Sequence, residues 1–232
     1  SAASDVYKRQ IHGRALPLAQ GVKMANKDLT VIASGGDGDG YAIGMGHTIH
    51  ALRRNMNMTY IVMDNQIYGL TKGQTSPSSA KGFVTKSTPK GNIEKNVAPL
   101  ELALSSGATF VAQGFSSDIK ALTKMIEDAI HHDGFSFVNV FSPCVTYNKV
   151  NTYDWFKEHL TSIDDIEGYD ITDKQLAMKT VLDHESLVKG IVYQDTTTPS
   201  YESQISELEH EALAKRDIHI TEETFNDLTA QF

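Results

Sequence analysis

From Leu18 to Phe141 the chain alternates between short apolar runs and polar, glycine-containing breaks. Leu29 to Ala33 stops at a glycine cluster, Tyr60-Ile61-Val62-Met63 stops at Asp64-Asn65-Gln66, and Thr109 to Ala112 and Phe135 to Phe141 repeat the pattern. Runs of this length bounded by turn residues predict buried strands. Between them the period is helical: Leu18, Ala19, Val22 and Ala25 lie within Leu16 to Asn26, a second helix runs from about Tyr41 to Arg53, and Pro99 opens a third from Leu100 to Ser106. Ser117 or Asp118 can cap a fourth, whose Ile119, Leu122, Ile126, Ala129 and Ile130 form one apolar stripe. Alternation of this kind predicts an α/β fold with a doubly wound parallel sheet.

Beyond Asn151 the texture changes. Tyr153 to Leu160 and Leu176 to Leu182 read as helices and Gly190 to Gln194 as a short strand-like turn, which predicts a C-terminal helical appendage on the same domain. From Ser200 to Phe232 eight acids face two bases, with Ile205, Leu208 and Leu213 hinting at an amphipathic helix. The expected organisation is a leader over 1–10 foreign to the fold, a main domain over 11–150, its extension over 151–199, and an acidic tail over 200–232.

A net charge of -8 argues against nucleic acid or an anionic membrane as partner, because both select a basic face. No apolar run approaches membrane-spanning length and no basic start leads into an apolar signal segment, so the cytoplasm is expected. The single cysteine excludes an internal disulfide framework and agrees with a reducing compartment. Charge is nevertheless uneven. The segment from Gly69 to Pro99, poor in apolar periodicity, holds Lys72, Lys81, Lys86, Lys90 and Lys95 against Glu94 alone. Segments of this length are usually functional or mobile; a solvated surface is the plainer account of the last four lysines.

Gly35-Gly36-Asp37-Gly38-Asp39-Gly40 carries the candidate chemistry, together with Asp64-Asn65. A dinucleotide fingerprint fails because Ile43 stands where the third glycine belongs and aspartates repel a pyrophosphate. A calcium loop started at Asp37 fails at Tyr41 and Thr48, where oxygen ligands are required. The remaining reading is a Gly-Asp-Gly turn followed by an asparagine at the next strand end. Mg2+ is then held by Asp37, the Asn65 side chain and the Ile67 carbonyl, and its octahedral oxygen set is completed by substrate phosphates. Both turns fall at C-terminal strand ends, where open parallel sheets bind ligands. His47 and His50 have metal-compatible spacing, but a packed or partly exposed pair is the plainer reading.

His12-Gly13-Arg14-Ala15-Leu16-Pro17, Gly36-Asp37-Gly38-Asp39, Arg53-Arg54-Asn55, the string from Asp64 to Gln74 and Ser76-Pro77 resemble the beta subunit of 2-oxoacid:ferredoxin oxidoreductases, over about His12 to Gln194. The resemblance implies a thiamine diphosphate-binding fold with Gly36, Asp37, Gly38, Asp39, Asn65, Ile67 and Leu70 at the cofactor. Leu70 supports the cofactor's bent conformation and Lys72 lies near the substrate. It also implies a 4Fe-4S cluster with Cys144, in Ser142-Pro143-Cys144, as one ligand. By packing chemistry alone a lone cysteine is a small buried hydrophobe. The family's three further cluster cysteines lie upstream of the His-Gly-Arg segment and are absent here, so the chain is expected to be a fragment without its true N-terminus.

The implied activity is oxidative decarboxylation of a 2-oxoacid, 2-oxoglutarate rather than pyruvate, to acyl-CoA and carbon dioxide. The implied partners are an alpha subunit, ferredoxin and coenzyme A. Two other readings stay open: a non-oxidative thiamine diphosphate decarboxylase or transketolase-like subunit, and a non-catalytic subunit that keeps the fold.

Overall fold

A computed structural model describes residues 11–209, 211–217 and 219–230; the leader expected over 1–10 lies outside the described residues. The elements in chain order are α1 (Ala15–Ala25), β1 (Ile32–Gly36), a π-helical turn (Asp39–Ile43), α2 (Met45–Arg54), β2 (Met58–Asp64), α3 (Pro99–Ser105), β3 (Phe110–Phe115), α4 (Ile119–His131), β4 (Phe135–Phe141), α5 (Tyr153–His159), β5 (Thr161–Ser162), α6 (Lys174–Asp183), β6 (Val188–Gln194) and α7 (Glu222–Thr229). They build one six-stranded sheet in the order β1-β2-β4-β3-β6-β5. β1, β2, β4 and β3 run parallel, and β4 at their centre is buried throughout.

Connection handedness decides which face each helix covers. The chain steps from β1 to β2 in one direction across the sheet and from β3 to β4 in the other, so right-handed crossovers put α2 and α4 on opposite faces. On the first face Ala51 and Leu52 of α2, Leu100 and Leu104 of α3 and Val181 of α6 meet Tyr60, Val62, Val111 and Phe137. On the second, Met125 and Ala129 of α4 meet Phe110, Val138 and Val140. That second layer reaches β2 at Thr59 and Ile61 but leaves Ile32 50% and Met63 42% exposed.

Several expectations are corrected. The 151–199 segment is more than a helical appendage: β6 joins the main sheet, antiparallel to β3, with a register irregularity at Val111/Ala112. The stretch Gly190 to Gln194, expected to be strand-like, is the greater part of β6, and Gly190 at φ +129 separates it from Val188 and Lys189 in the sequence pattern. β1 begins later than the apolar run suggested, so Gly35 and Gly36 are strand residues. In α1 the expected apolar face is not the buried one: Leu16, Ala19, Gln20 and Lys23 turn inward while Leu18 is 64% exposed. In α4 Met125 is buried and Ile119 is exposed. The tail holds short turns over Glu202–Gln204, Ser206–Leu208 and Leu213–Lys215 where an amphipathic helix was expected, and α7 follows them.

Long-range polar contacts explain α1. The Lys23 ammonium donates to the Leu29 carbonyl at 3.0 Å and lies 3.8 Å from Glu202, whose carboxylate accepts the Asn57 N–H at 3.0 Å. Both side chains are buried, and a buried charge persists when it is paired and hydrogen-bonded. Beside them Asn55 ends α2 in the left-handed region at φ +54. Its Oδ1 accepts from Thr109 Oγ1 at 2.6 Å and from the Phe135 N–H at 2.8 Å, and its Nδ2 donates to the Pro199 carbonyl at 3.2 Å.

Proton counting then fixes a tautomer. Thr109 spends its one hydroxyl proton on Asn55, so the His132 Nε2 at 2.7 Å must be the donor, and in its neutral form the ring carries its proton on Nε2. Burial holds the His132 pKa below its ordinary value, against the opposing pull of Asp133 and Asp195. The unfolded chain therefore binds the proton more readily. This contribution to stability is complete above about pH 6.5 and is lost as the pH falls below it. Melting temperatures followed from about pH 7.5 down to about pH 5 are expected to fall more steeply in wild type than in His132→Gln. Parallel profiles would remove His132 as the cause.

Candidate active site

The register of β1 on β2 pairs Gly36 with Met63, so the next residues, Asp37 and Asp64, emerge side by side at the C-terminal edge. Asp37 is 3% exposed and Asp64 is also buried. A hydroxyl pair from the following loop bridges them. Ser76 Oγ donates to Asp37 Oδ2, and Ser78 Oγ lies 2.5 Å from the same oxygen and 2.7 Å from Asp64 Oδ1. One hydroxyl proton serves only one of Ser78's two carboxylate contacts, so the geometry requires a proton on one carboxyl of the pair.

Burial, reinforced by the neighbouring Asp37 charge, pushes the Asp64 carboxyl up to about 7, and burial raises Asp37 as well. Asp64 as the protonated partner leaves the negative charge on Asp37. Asn139 secures this arrangement from below: its Nδ2 lies 3.5 Å from Asp64 Oδ2 and donates to Gln113 Oε1 at 2.8 Å, and its Oδ1 accepts from Tyr41 Oη at 2.7 Å. Gln113 in turn donates to the Ser186 and Val188 carbonyls, tying the site to the start of β6.

At the end of β2 the Asn65 Oδ1 accepts the Ile67 N–H at 3.0 Å, a local turn that brings the Asn65 amide oxygen and the backbone of Ile67 together. A carboxylate, an amide oxygen and a backbone carbonyl form an all-oxygen donor set, and the amide oxygen keeps a second lone pair; the set fits Mg2+ rather than a thiophilic metal. Among the described residues no group of three or more His, Cys, Asp or Glu side chains is placed to hold a metal.

Gly38 is required where it stands: a Cβ there would lie 2.1 Å from the Tyr68 ring. Asp39 is turned to another task. Its Oδ1 accepts the Gly13 N–H at 2.5 Å and faces His12 Nδ1 at 3.4 Å, so it clamps the His-Gly-Arg segment onto the glycine turn.

Tyr68 to Gln74 closes a second turn at this edge, with the Tyr68 N–H on the Gln74 carbonyl at 2.9 Å and the Gly73 N–H on the Tyr68 carbonyl at 2.9 Å. It presents Leu70 94% exposed and Lys72 exposed at φ +68. Gly73 packs on the Tyr147 ring, which belongs to the turn after Cys144. That turn is fixed to the same edge, because the Ser142 N–H donates to the Asp64 carbonyl at 2.8 Å; Cys144 is half-buried. The edge therefore gathers Gly36, Asp37, Gly38, Asn65 and Ile67, with Leu70, Lys72 and Cys144 on its rim, while Asp39 points back into the fold.

Asp64, Ser76, Ser78 and Asn139 were missed as site residues. Asp64 was visible as a strand-end carboxylate, but the serines lie in a stretch without periodicity. That stretch carries an ordered lobe. The Val97 N–H meets the Pro77 carbonyl at 2.8 Å, and further out the Gly82 N–H meets the Asn92 carbonyl at 2.7 Å and the Asn92 N–H the Phe83 carbonyl at 2.9 Å. Gly91, at φ +88, packs so closely on Gly82 that a Cβ would stand 2.8 Å from its carbonyl oxygen.

Residues 7–140 match the family model of the C-terminal TPP binding domain of thiamine pyrophosphate enzymes, and residues 144–210 match that of the C-terminal region of the pyruvate ferredoxin oxidoreductase beta subunit. A 2-oxoacid:ferredoxin oxidoreductase subunit beta from Saccharolobus solfataricus is 42% identical over 215 residues, covering 88% of this chain and 70% of that one. The 2-oxoglutarate oxidoreductase subunit KorB of Mycobacterium tuberculosis is 47% identical over 138 residues, 60% of this chain and 37% of that one. The solved structure of a 2-oxoglutarate:ferredoxin oxidoreductase from Magnetococcus marinus, with 2-oxoglutarate, coenzyme A and succinyl-CoA bound, superposes with a TM-score of 0.83 at 37% identity, over 94% of this chain and 73% of that chain. On this fold and these matches, the chain belongs to the beta-subunit family of the 2-oxoacid:ferredoxin oxidoreductases.

Proposed function

We propose that the chain is the thiamine diphosphate-binding subunit of an enzyme that converts a 2-oxoacid, coenzyme A and two oxidised one-electron carriers to acyl-CoA, carbon dioxide, a proton and two reduced carriers. One observation carries the proposal: a buried carboxylate, Asp37, and the Asn65 to Ile67 turn leave adjacent parallel strands at one sheet edge. Bound thiamine diphosphate would supply the sink for the electron pair released on decarboxylation.

The chain's own residues bind and orient. Asp37, the Asn65 amide oxygen and the Ile67 carbonyl would hold Mg2+, which would offset the charge of the diphosphate, and the small Gly36 and Gly38 let the backbone approach. Ser76, Ser78 and Asn139 hold the two carboxyls so that one of them stays charged. Lys72, a mobile point charge with three donors, binds the substrate carboxylate, and exposed Leu70 packs against the cofactor. We assign Asp39 to the support of this site through Gly13. Cys144 gives one thiolate where a 4Fe-4S centre takes four, so this sequence contains no complete cluster site and no electron step is assigned through it.

An alpha subunit and ferredoxin complete the proposed enzyme, in the cytoplasm, and 2-oxoglutarate is the favoured substrate because relatives and the solved neighbour bear that name. We further propose residues 11–150 as the cofactor domain, 151–199 as its extension and 200–232 as an acidic tail.

The test is coenzyme A-dependent viologen reduction by the full-length subunit, with the family's upstream cluster cysteines present, assembled with its alpha subunit. Reduction with 2-oxoglutarate, several-fold slower with pyruvate and absent without thiamine diphosphate, is the expected result. Carbon dioxide release without dye reduction would replace this function with a non-oxidative one.

A further inference from the structure

The lobe between Pro77 and Val97 stands beside the proposed active site, and beyond Ser78 its residues have no role there. It is an ordered surface: Phe83 and Asn92 are buried in it, and the Asn92 side chain donates to the Ser79, Ala80 and Glu94 carbonyls. The lobe carries Lys81, Lys86, Lys90 and Lys95, all exposed, against the single acid Glu94, together with Val84 at 64% and Ile93 at 85% exposure. Among the described residues none of these lysines pairs with a carboxylate, so their charge is left to act outward.

A cluster of unpaired cations in a chain of net charge -8 is a local field opposite in sign to the whole. Such a patch orients and accelerates encounter with a negatively charged partner, which the rest of an acidic surface repels. Aliphatic side chains ringed by charge match the anatomy of small, transient interfaces, in which a few apolar contacts seat a complex that long-range charge has steered. The lobe also shares an edge with the Cys144 turn: Ser76 and Ser78 at its base reach Asp37 and Asp64, and Ser142 is bonded to Asp64.

We propose that this lobe is the docking surface for an acidic, one-electron carrier protein, with Lys81, Lys86, Lys90 and Lys95 supplying the attraction and Val84 and Ile93 the seat. The proposal rests on the oxidoreductase function above and names where that function's protein acceptor binds.

The experiment uses the enzyme assembled with its alpha subunit and compares Lys86→Glu/Lys90→Glu and the neutral Lys86→Gln/Lys90→Gln with wild type. An acidic ferredoxin and methyl viologen are the two acceptors. The reversal pair is expected to raise the KM for ferredoxin about tenfold or more and to flatten its dependence on ionic strength, with the neutral pair between. Viologen reduction and the sedimentation coefficient of the assembly are expected to match wild type. Ferredoxin kinetics unchanged in both variants, with dye reduction intact, would overturn the docking surface and leave the function standing. A variant that sediments as a smaller species would reassign the lobe to the interface with the alpha chain and overturn it as well. Failure of the wild-type enzyme to reduce either acceptor would remove the function, and the docking surface with it.

Discussion

Asp37→Asn enzyme is expected to bind thiamine diphosphate about a hundredfold more weakly than wild type, and to lose the dependence of that binding on Mg2+. The substitution keeps the shape of the side chain and removes its charge. In wild type the Asp37 carboxylate is buried beside a second carboxyl, and two serine hydroxyls converge on its Oδ2. Burying that charge opposes folding, and the direction of the Asp37 shift reports the same cost. The variant should therefore melt no earlier than wild type at neutral pH, while losing the cofactor. Isothermal titration with thiamine diphosphate, with Mg2+ present or replaced by a chelator, separates the two effects. Affinity equal to wild type would exclude Asp37 as a ligand; a large fall in melting temperature would make it a structural residue.

The second large effect lies at the opposite end of the strands. Asn55→Ala is expected to cost about 3 kcal/mol of unfolding free energy, from leaving the buried Phe135 N–H without its acceptor and forcing an alanine into the left-handed region. Asn55→Gly accepts the backbone conformation but not the hydrogen bonds, so it should recover about 1 kcal/mol of that loss. Urea denaturation of the two variants measures both terms. Two variants equal to each other would show that the backbone conformation carries no cost, and two variants equal to wild type would show that the Asn55 hub does not hold the α2 end, β4 and the 195–202 segment together.

The legible parts of this fold are those in which nearby residues settle the outcome. Each parallel strand was visible as an apolar run, and the edge at which Asp37 and Asn65 emerge followed from strand ends alone. The illegible parts depend on distant residues. No local signal turns Lys23 inward; a glutamate far along the chain does so, and the exposed Leu18 face of α1 follows. β6 was legible only from Gly190 onward, and its place in the main sheet was not, because Gly190 breaks the pattern where the strand passes close to Ile163. Ser76 and Ser78 read as loop because hydroxyl groups declare their use only when two carboxyls stand opposite. Asp39 shared a motif with Asp37 and belongs to a different contact, since one faces the next strand end and the other faces Gly13.

The paired contacts between Gly82, Phe83 and Asn92 make the outer lobe a cassette with a fixed base. Residues 83–91 hang from that clasp, on the far side of it from the serines that reach Asp37 and Asp64. A sequence grafted between Gly82 and Asn92, with the glycine at 91 retained, inherits the same anchor points whatever charges it brings. On the docking proposed above, preference among electron carriers would change by exchange of one short segment without touching the residues proposed to hold the cofactor.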